Sequence, residues 1–167
     1  MDKTIYMDTS SAILLFHAKL LDPLSKGYRL IIPPSVFKEA TKKAYPGATY
    51  FKNWKEIDII PPRDEIMSGD LLGMGAGERD CIRLLMESGH EAFLLVDDKK
   101  AAKFCRSQGL PFINALLVPK IFYYNGMLSL EMAREKEDEL AHLGRYSRFV
   151  LDTAKTLNRA DLIFFLR

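Results

Sequence analysis

The stretch Ile5-Tyr6-Met7-Asp8-Thr9-Ser10-Ser11 decides the fold. Its apolar start reads as a short buried strand, and its carboxylate followed by hydroxyls reads as the turn into a helix. The arrangement returns at Phe93-Leu94-Leu95-Val96-Asp97-Asp98. In an open parallel sheet, ligands bind beyond the carboxyl ends of the strands, so Asp8 and the Asp97/Asp98 pair are expected to share one edge. Carboxylates crowded together raise one another's pKa unless a cation binds between them, and hard ions such as Mg²⁺ or Mn²⁺ prefer oxygen ligands. The expectation is metal-dependent hydrolysis.

Outward from the first strand, Ala12 to Leu21 has a helical pattern with Ile13, Leu14, Phe16, Leu20 and Leu21 on a broad apolar face and Ser10 or Ser11 as N-cap. Tyr28 to Ile32 is a strand stopped by Pro33-Pro34, and Ser35 caps a helix reaching about Lys43. An aromatic and basic segment with Tyr45, Tyr50, Phe51 and Trp54 precedes a short strand at Ile57 to Ile60. Glu78 opens a helix that ends at Ser88-Gly89; the strand Phe93 to Val96 and a helix from about Lys99 to Ser107 follow. Phe112 to Asn114 is a last strand and Leu116 to Tyr124 an apolar helix. Alternating strands and helices predict an α/β fold, a three-layer sandwich around a mainly parallel sheet, over residues 1–126. Residues 127–167 read as a helical extension packed on that core, with helices at Ser129 to Leu143 and Ser147 to Leu157. The apolar tail Leu162 to Leu166 is expected to dock on this protein or a partner.

Composition sets bounds on this. The chain has 167 residues, 48% hydrophobic and 28% charged, enough for a full core. A formal charge of +2 does not by itself announce a nucleic-acid binder, although a local basic face can still hold phosphates. Cys81 and Cys105 fit no zinc spacing and read as reduced core residues. No leader pattern is visible, and no apolar run approaches the ~20 residues needed to cross a bilayer, so a cytoplasmic protein is expected, with no membrane partner.

Acids recur where this architecture would gather them: Asp8 at a strand end, Glu39 within the helix after Pro33-Pro34, Glu78 after Gly75-Ala76-Gly77, and Asp97/Asp98 at a later strand end. The pieces Tyr6-Met7-Asp8-Thr9-Ser10, Ile32 to Glu39, Gly75 to Ile82 and Leu95 to Ala102 together resemble a PIN domain, a family of small metal-dependent nucleases that includes toxins of toxin-antitoxin pairs. The resemblance implies Asp8, Glu39, Glu78 and Asp98 as catalytic acids, with Asp8, Glu78, Asp97 and Asp98 as candidate ligands for Mg²⁺ or Mn²⁺. Asp80 is an alternative to Glu78, and Asp97 an alternative to Asp98, which would then cap the next helix. Thr9 or Ser10 resembles the hydroxyl that supports the first aspartate. Single-stranded RNA as substrate, an antitoxin partner and a homodimer are implied as well.

Lys99, Lys100 and Lys103, with Lys38, Lys42, Lys43 and Arg106, are candidates to hold the substrate backbone, and Tyr45, Tyr50, Phe51 and Trp54 to stack bases. Each of these has an ordinary alternative as helix cap, solvated face or core. Two other functions compete: a PIN-like module that binds without cutting, and a haloacid-dehalogenase-type phosphatase. The latter needs an acid two residues after its aspartate, where this chain has Ser10.

Overall fold

The structure, a computed structural model, describes residues 3–63, 69–88 and 91–167. Five strands, β1 (Thr4–Met7), β2 (Arg29–Ile32), β3 (Ile57–Ile59), β4 (Ala92–Leu95) and β5 (Phe112–Ile113), form one sheet in the order β3-β2-β1-β4-β5. Every pairing is parallel. Helices cover the sheet in a three-layer α/β arrangement, so its central strands are apolar throughout: Ile5, Met7, Leu30, Ile32 and Phe93 to Val96 are all buried. The strand order reverses at β1, which has β2 on one side and β4 on the other. Met7 pairs with Leu95, and the Asp8 amide donates to the Leu95 carbonyl at 3.1 Å. The two acidic strand ends therefore leave the sheet side by side at its topological switch point.

The helices depart from the sequence expectation in informative ways. Helix α1 (Thr9–His17) begins three residues early because Asp8 itself is the N-cap, accepting from the Ser11 amide at 2.8 Å; neither Ser10 nor Ser11 caps it. Its most buried residues are Thr9, Ser11, Ala12 and Leu15, while Ile13, Leu14 and Phe16 are half-buried. It stops because Lys19 adopts a left-handed conformation with φ 58°, and the Leu20 amide reaches back to the Leu15 carbonyl. The expected single helix to Leu21 is thus two, with α2 (Leu21–Gly27) following.

Helix α3 (Pro34–Ala40) starts with proline at its first position and extended Pro33 as cap, so Ser35 is not the cap. The aromatic segment contains α4 (Ala48–Asn53), entered through Gly47 at φ 82°. Phe51 and Trp54 are buried and stack with Phe16 and Tyr50, and the Tyr50 hydroxyl donates to Asp22. Phe51 and Trp54 are core residues, not base-stacking platforms. Helix α5 (Ala76–Glu87) begins at Ala76, two residues before Glu78. Ser88 is its C-cap, and Gly89 lies outside the described residues.

Helix α6 (Lys99–Ser107) and, after a 3₁₀ turn at Ala115–Leu117, α7 (Val118–Tyr124) complete the alternating part. Beyond them, α8 (Leu130–Leu143) and α9 (Arg148–Thr156) are capped by Ser129 and Ser147. The α8 residue Leu140 is fully buried in the common core. The tail folds back on this chain: Leu162 and Leu166 are buried, Phe165 packs edge-on against Phe93, and Tyr28 donates to the Phe165 carbonyl at 2.8 Å. Tyr28 in turn accepts from Asn125, and Lys3 donates to the Phe164 carbonyl. The tail thereby closes the end of the sheet where its strands begin.

Candidate active site

Asp8 is the residue around which the opposite edge is organised. Its carboxylate is fully buried; one oxygen caps α1, and the other has no hydrogen-bond partner among the described residues. Burial, together with the neighbouring Asp97 and Glu78, pushes its pKa up to about 7, against the opposing pull of its Ser11 hydrogen bonds. An unpaired buried carboxylate oxygen is costly, so this edge is energetically unfinished.

Asp97 stands next to it, held from three directions. Ser11 donates its hydroxyl at 2.6 Å, the Ala115 amide donates at 3.2 Å, and the Tyr146 hydroxyl donates at 2.5 Å. Burial raises the Asp97 pKa, and these donors oppose the rise. Ser11 therefore links both aspartates, through its amide to Asp8 and through its hydroxyl to Asp97. The sequence drew attention to Thr9 and Ser10, but Ser10 is exposed. The i to i+3 spacing of Asp8 and Ser11 at a helix start was the available signal for Ser11. For Tyr146, far along the chain, no comparable signal exists.

Glu39 on α3 and Glu78 on α5 line the same cleft. Thr9 donates to Glu39 at 2.8 Å and Tyr45 donates to its other oxygen at 3.3 Å. The helices approach closely at Gly77, where an added Cβ would lie 3.0 Å from Val36 and 3.8 Å from the Glu39 carboxylate. Glu78 curls back over Gly75, so a Cβ there would lie 2.3 Å from its Oε2. Gly75 makes room for the Glu78 carboxylate, and Gly77 for the Val36 side chain. Glu39, Glu78 and Asp98 line a cleft of about 640 Å³, with Lys38, Lys42 and Lys100 around it. The buried Asp8 and half-buried Asp97 are not part of its lining; Asp8 is linked to it through the adjacent Thr9, which donates to Glu39, and through the nearby charge of Glu78.

The remaining expected residues have distinct placements. Asp98 caps α6 by accepting from the Ala101 amide at 2.9 Å, the alternative role considered for it, while still bordering the cleft. Asp80 is turned to Ser35 at 2.6 Å and Arg83 at 3.5 Å and does not line the cleft. Lys99 and Lys103 are exposed on α6; Lys103 borders a shallower adjoining hollow with Gly73 and Phe104. Cys81 and Cys105 are buried free thiols, and Cys81 donates to the Met7 carbonyl.

Among the described residues, no three acidic, histidine or cysteine side chains are already drawn together as a metal cage. The donor set nonetheless fits a hard divalent cation: all oxygen, mutually repelling at Asp8 and Asp97, with a buried Asp8 oxygen lacking a partner. Acids gathered at the switch point of an all-parallel sheet, beside a lysine-rimmed cleft, mark a nuclease-type α/β domain. The chain belongs to the PIN-domain family, whose profile matches residues 4–153. PIN domains are generally nucleases and typically use divalent metal ions. No curated protein and no solved structure matches the chain. Among the described residues, no helix is long and apolar enough to cross a membrane.

Proposed function

We propose that this protein is a Mg²⁺- or Mn²⁺-dependent ribonuclease that hydrolyses phosphodiester bonds in single-stranded RNA. The observation that carries this is the buried Asp8 oxygen that has no partner among the described residues, near Asp97 and Glu78 and beside a cleft rimmed by Lys38, Lys42 and Lys100. Asp8, Glu78 and Asp97 would hold the ion, with Asp98 at the border of the same cleft. When bound, it supplies a water of lowered pKa and neutralises charge on the phosphate. Glu39, fixed by Thr9 and Tyr45, orients the attacking water and takes up its proton. The water oxygen bonds to phosphorus as the bond to the leaving ribose oxygen breaks, and that oxygen is protonated from solvent. Lys38, Lys42 and Lys100 bind the flanking phosphates, with Lys99 and Lys103 extending the basic path along α6.

The same proposal organises the chain as a core, 1–126, completed by the extension 127–167. It includes a cytoplasmic toxin acting as a homodimer and restrained by an antitoxin, a reading supported by exposed apolar residues such as Phe149 and Leu143 on the extension. The test is cleavage of single-stranded RNA with Mn²⁺ or Mg²⁺ by wild type, Asp8→Asn and Glu78→Gln. Metal-dependent cutting lost in both variants is the expected result. Equal cutting by all three removes the site, and absence of cutting accompanied by RNA binding makes the protein a binding module.

A further inference from the structure

The loop between α8 and α9 reaches the acidic edge through one side chain. Tyr146 lies 49 positions after Asp97 and places its hydroxyl 2.5 Å from Asp97 Oδ1. Ser11 occupies the other oxygen, so the carboxylate is gripped on both sides. The loop is shaped for this contact at a second position. Gly144 has φ −84° and ψ 155°, extended backbone open to any residue, so conformational freedom does not explain a glycine there. Space does: a Cβ on Gly144 would lie 2.3 Å from Tyr146 Cε2 and 2.8 Å from Cδ2. The Tyr146 ring lies over Gly144, and that packing aims its hydroxyl at Asp97.

We infer that Tyr146 is a positioning residue for the acidic site, supplied by the C-terminal extension, which fixes the Asp97 carboxylate for metal binding. The inference rests on the metal-dependent reading above. A phenol donating to one oxygen leaves a carboxylate its remaining lone pairs while removing rotation about its terminal torsion. Residues that orient ligands in this way typically affect metal affinity by 10–100-fold. The extension is then part of the site, since without it Asp97 would keep, among the described residues, Ser11 and the Ala115 amide as its donors.

The test measures Mn²⁺ affinity by electron paramagnetic resonance, with melting in EDTA alongside, for full-length wild type, Tyr146→Phe, Gly144→Ala and the double variant. Tyr146→Phe removes the hydroxyl and keeps the ring. It is expected to weaken Mn²⁺ binding about tenfold. Gly144→Ala, which displaces the ring without touching the hydroxyl, should cause a similar loss, and the double variant no further loss. Mn²⁺ affinity of Tyr146→Phe within twofold of wild type, or tighter than wild type, overturns the inference; tighter binding would make Tyr146 a lock. Additive losses in the double variant also count against it. Asp8→Asn separates the two levels: if wild type and Asp8→Asn bind Mn²⁺ equally or not at all, the metal site itself fails. If Asp8→Asn alone loses binding, that site stands and only the role of Tyr146 falls.

Discussion

The two ends of the sheet are closed in opposite ways by residues that follow α7. Where the strands begin, residues 162–167 bring Leu162 and Leu166 into the core, Phe165 onto Phe93, and backbone carbonyls to Tyr28 and Lys3. Where the strands end, the loop between α8 and α9 contributes Tyr146 to a cluster of acids in which one Asp8 oxygen has no partner among the described residues. One edge maximises burial and pairing, and the other gathers mutually repelling charge. Groups arranged against stability are concentrated where chemistry is expected, and the rest of the fold must offset them.

The largest separation between the edges should come from Asp8→Asn. RNA cleavage is expected to fall roughly a hundredfold or more, while melting in EDTA at pH 8 rises because a buried charge is gone. A variant that loses both activity and stability would mean that Asp8 is a structural cap only. At the other edge, Leu166→Ala should cost about 3 kcal/mol in urea unfolding and leave activity per folded molecule unchanged. Lost activity in the folded fraction would show that the edges are coupled.

A smaller effect follows from pH. Burial and Asp97 raise the Asp8 pKa from 3.8 to about 7, so the folded state keeps a proton that the unfolded chain releases. This contribution to stability is complete below about pH 4 and is lost as pH rises through 7, with a slope of up to about 1.4 kcal/mol per pH unit. Metal-free unfolding from pH 5 to pH 8 should show the decline, and Asp8→Asn should flatten it; an unchanged slope would reassign the proton. Tyr28→Phe, which removes the hydroxyl between Asn125 and the Phe165 carbonyl, should destabilise by about 1 kcal/mol with no change in cleavage. Least of all, Lys100→Ala should weaken RNA binding a few-fold and reduce its salt slope by about one charge. An unaltered salt slope would move the backbone path elsewhere.

Much of this arrangement was legible in the amino-acid order because its causes are local. Apolar runs ending in Asp8 and in Asp97-Asp98 specify buried parallel strands, and alternation with helical patterns specifies the layers. The break at Lys19 was not legible, since a lysine carries no sign of a left-handed backbone. Nor was the fate of Phe51 and Trp54, because an aromatic cluster near basic residues looks alike whether it meets bases or packs on Phe16. At the site, the acids were visible as strand and helix ends, whereas the choice between neighbours depended on tertiary partners. Asp98 is committed to the Ala101 amide, Asp80 to Ser35 and Arg83, and Asp97 to a tyrosine from a distant loop.

Gly77 sets a length scale for the whole cleft. With only a hydrogen where other residues carry carbon, it lets α3 and α5 touch at the level of Val36 and the Glu39 carboxylate. The approach of Val36 on α3 to the start of α5 is therefore gauged by the smallest side chain available. A single methyl at that point would press on Val36 and require it to give by a few tenths of an ångström, on the two helices that carry Glu39 and Glu78, while leaving every acid in the sequence intact.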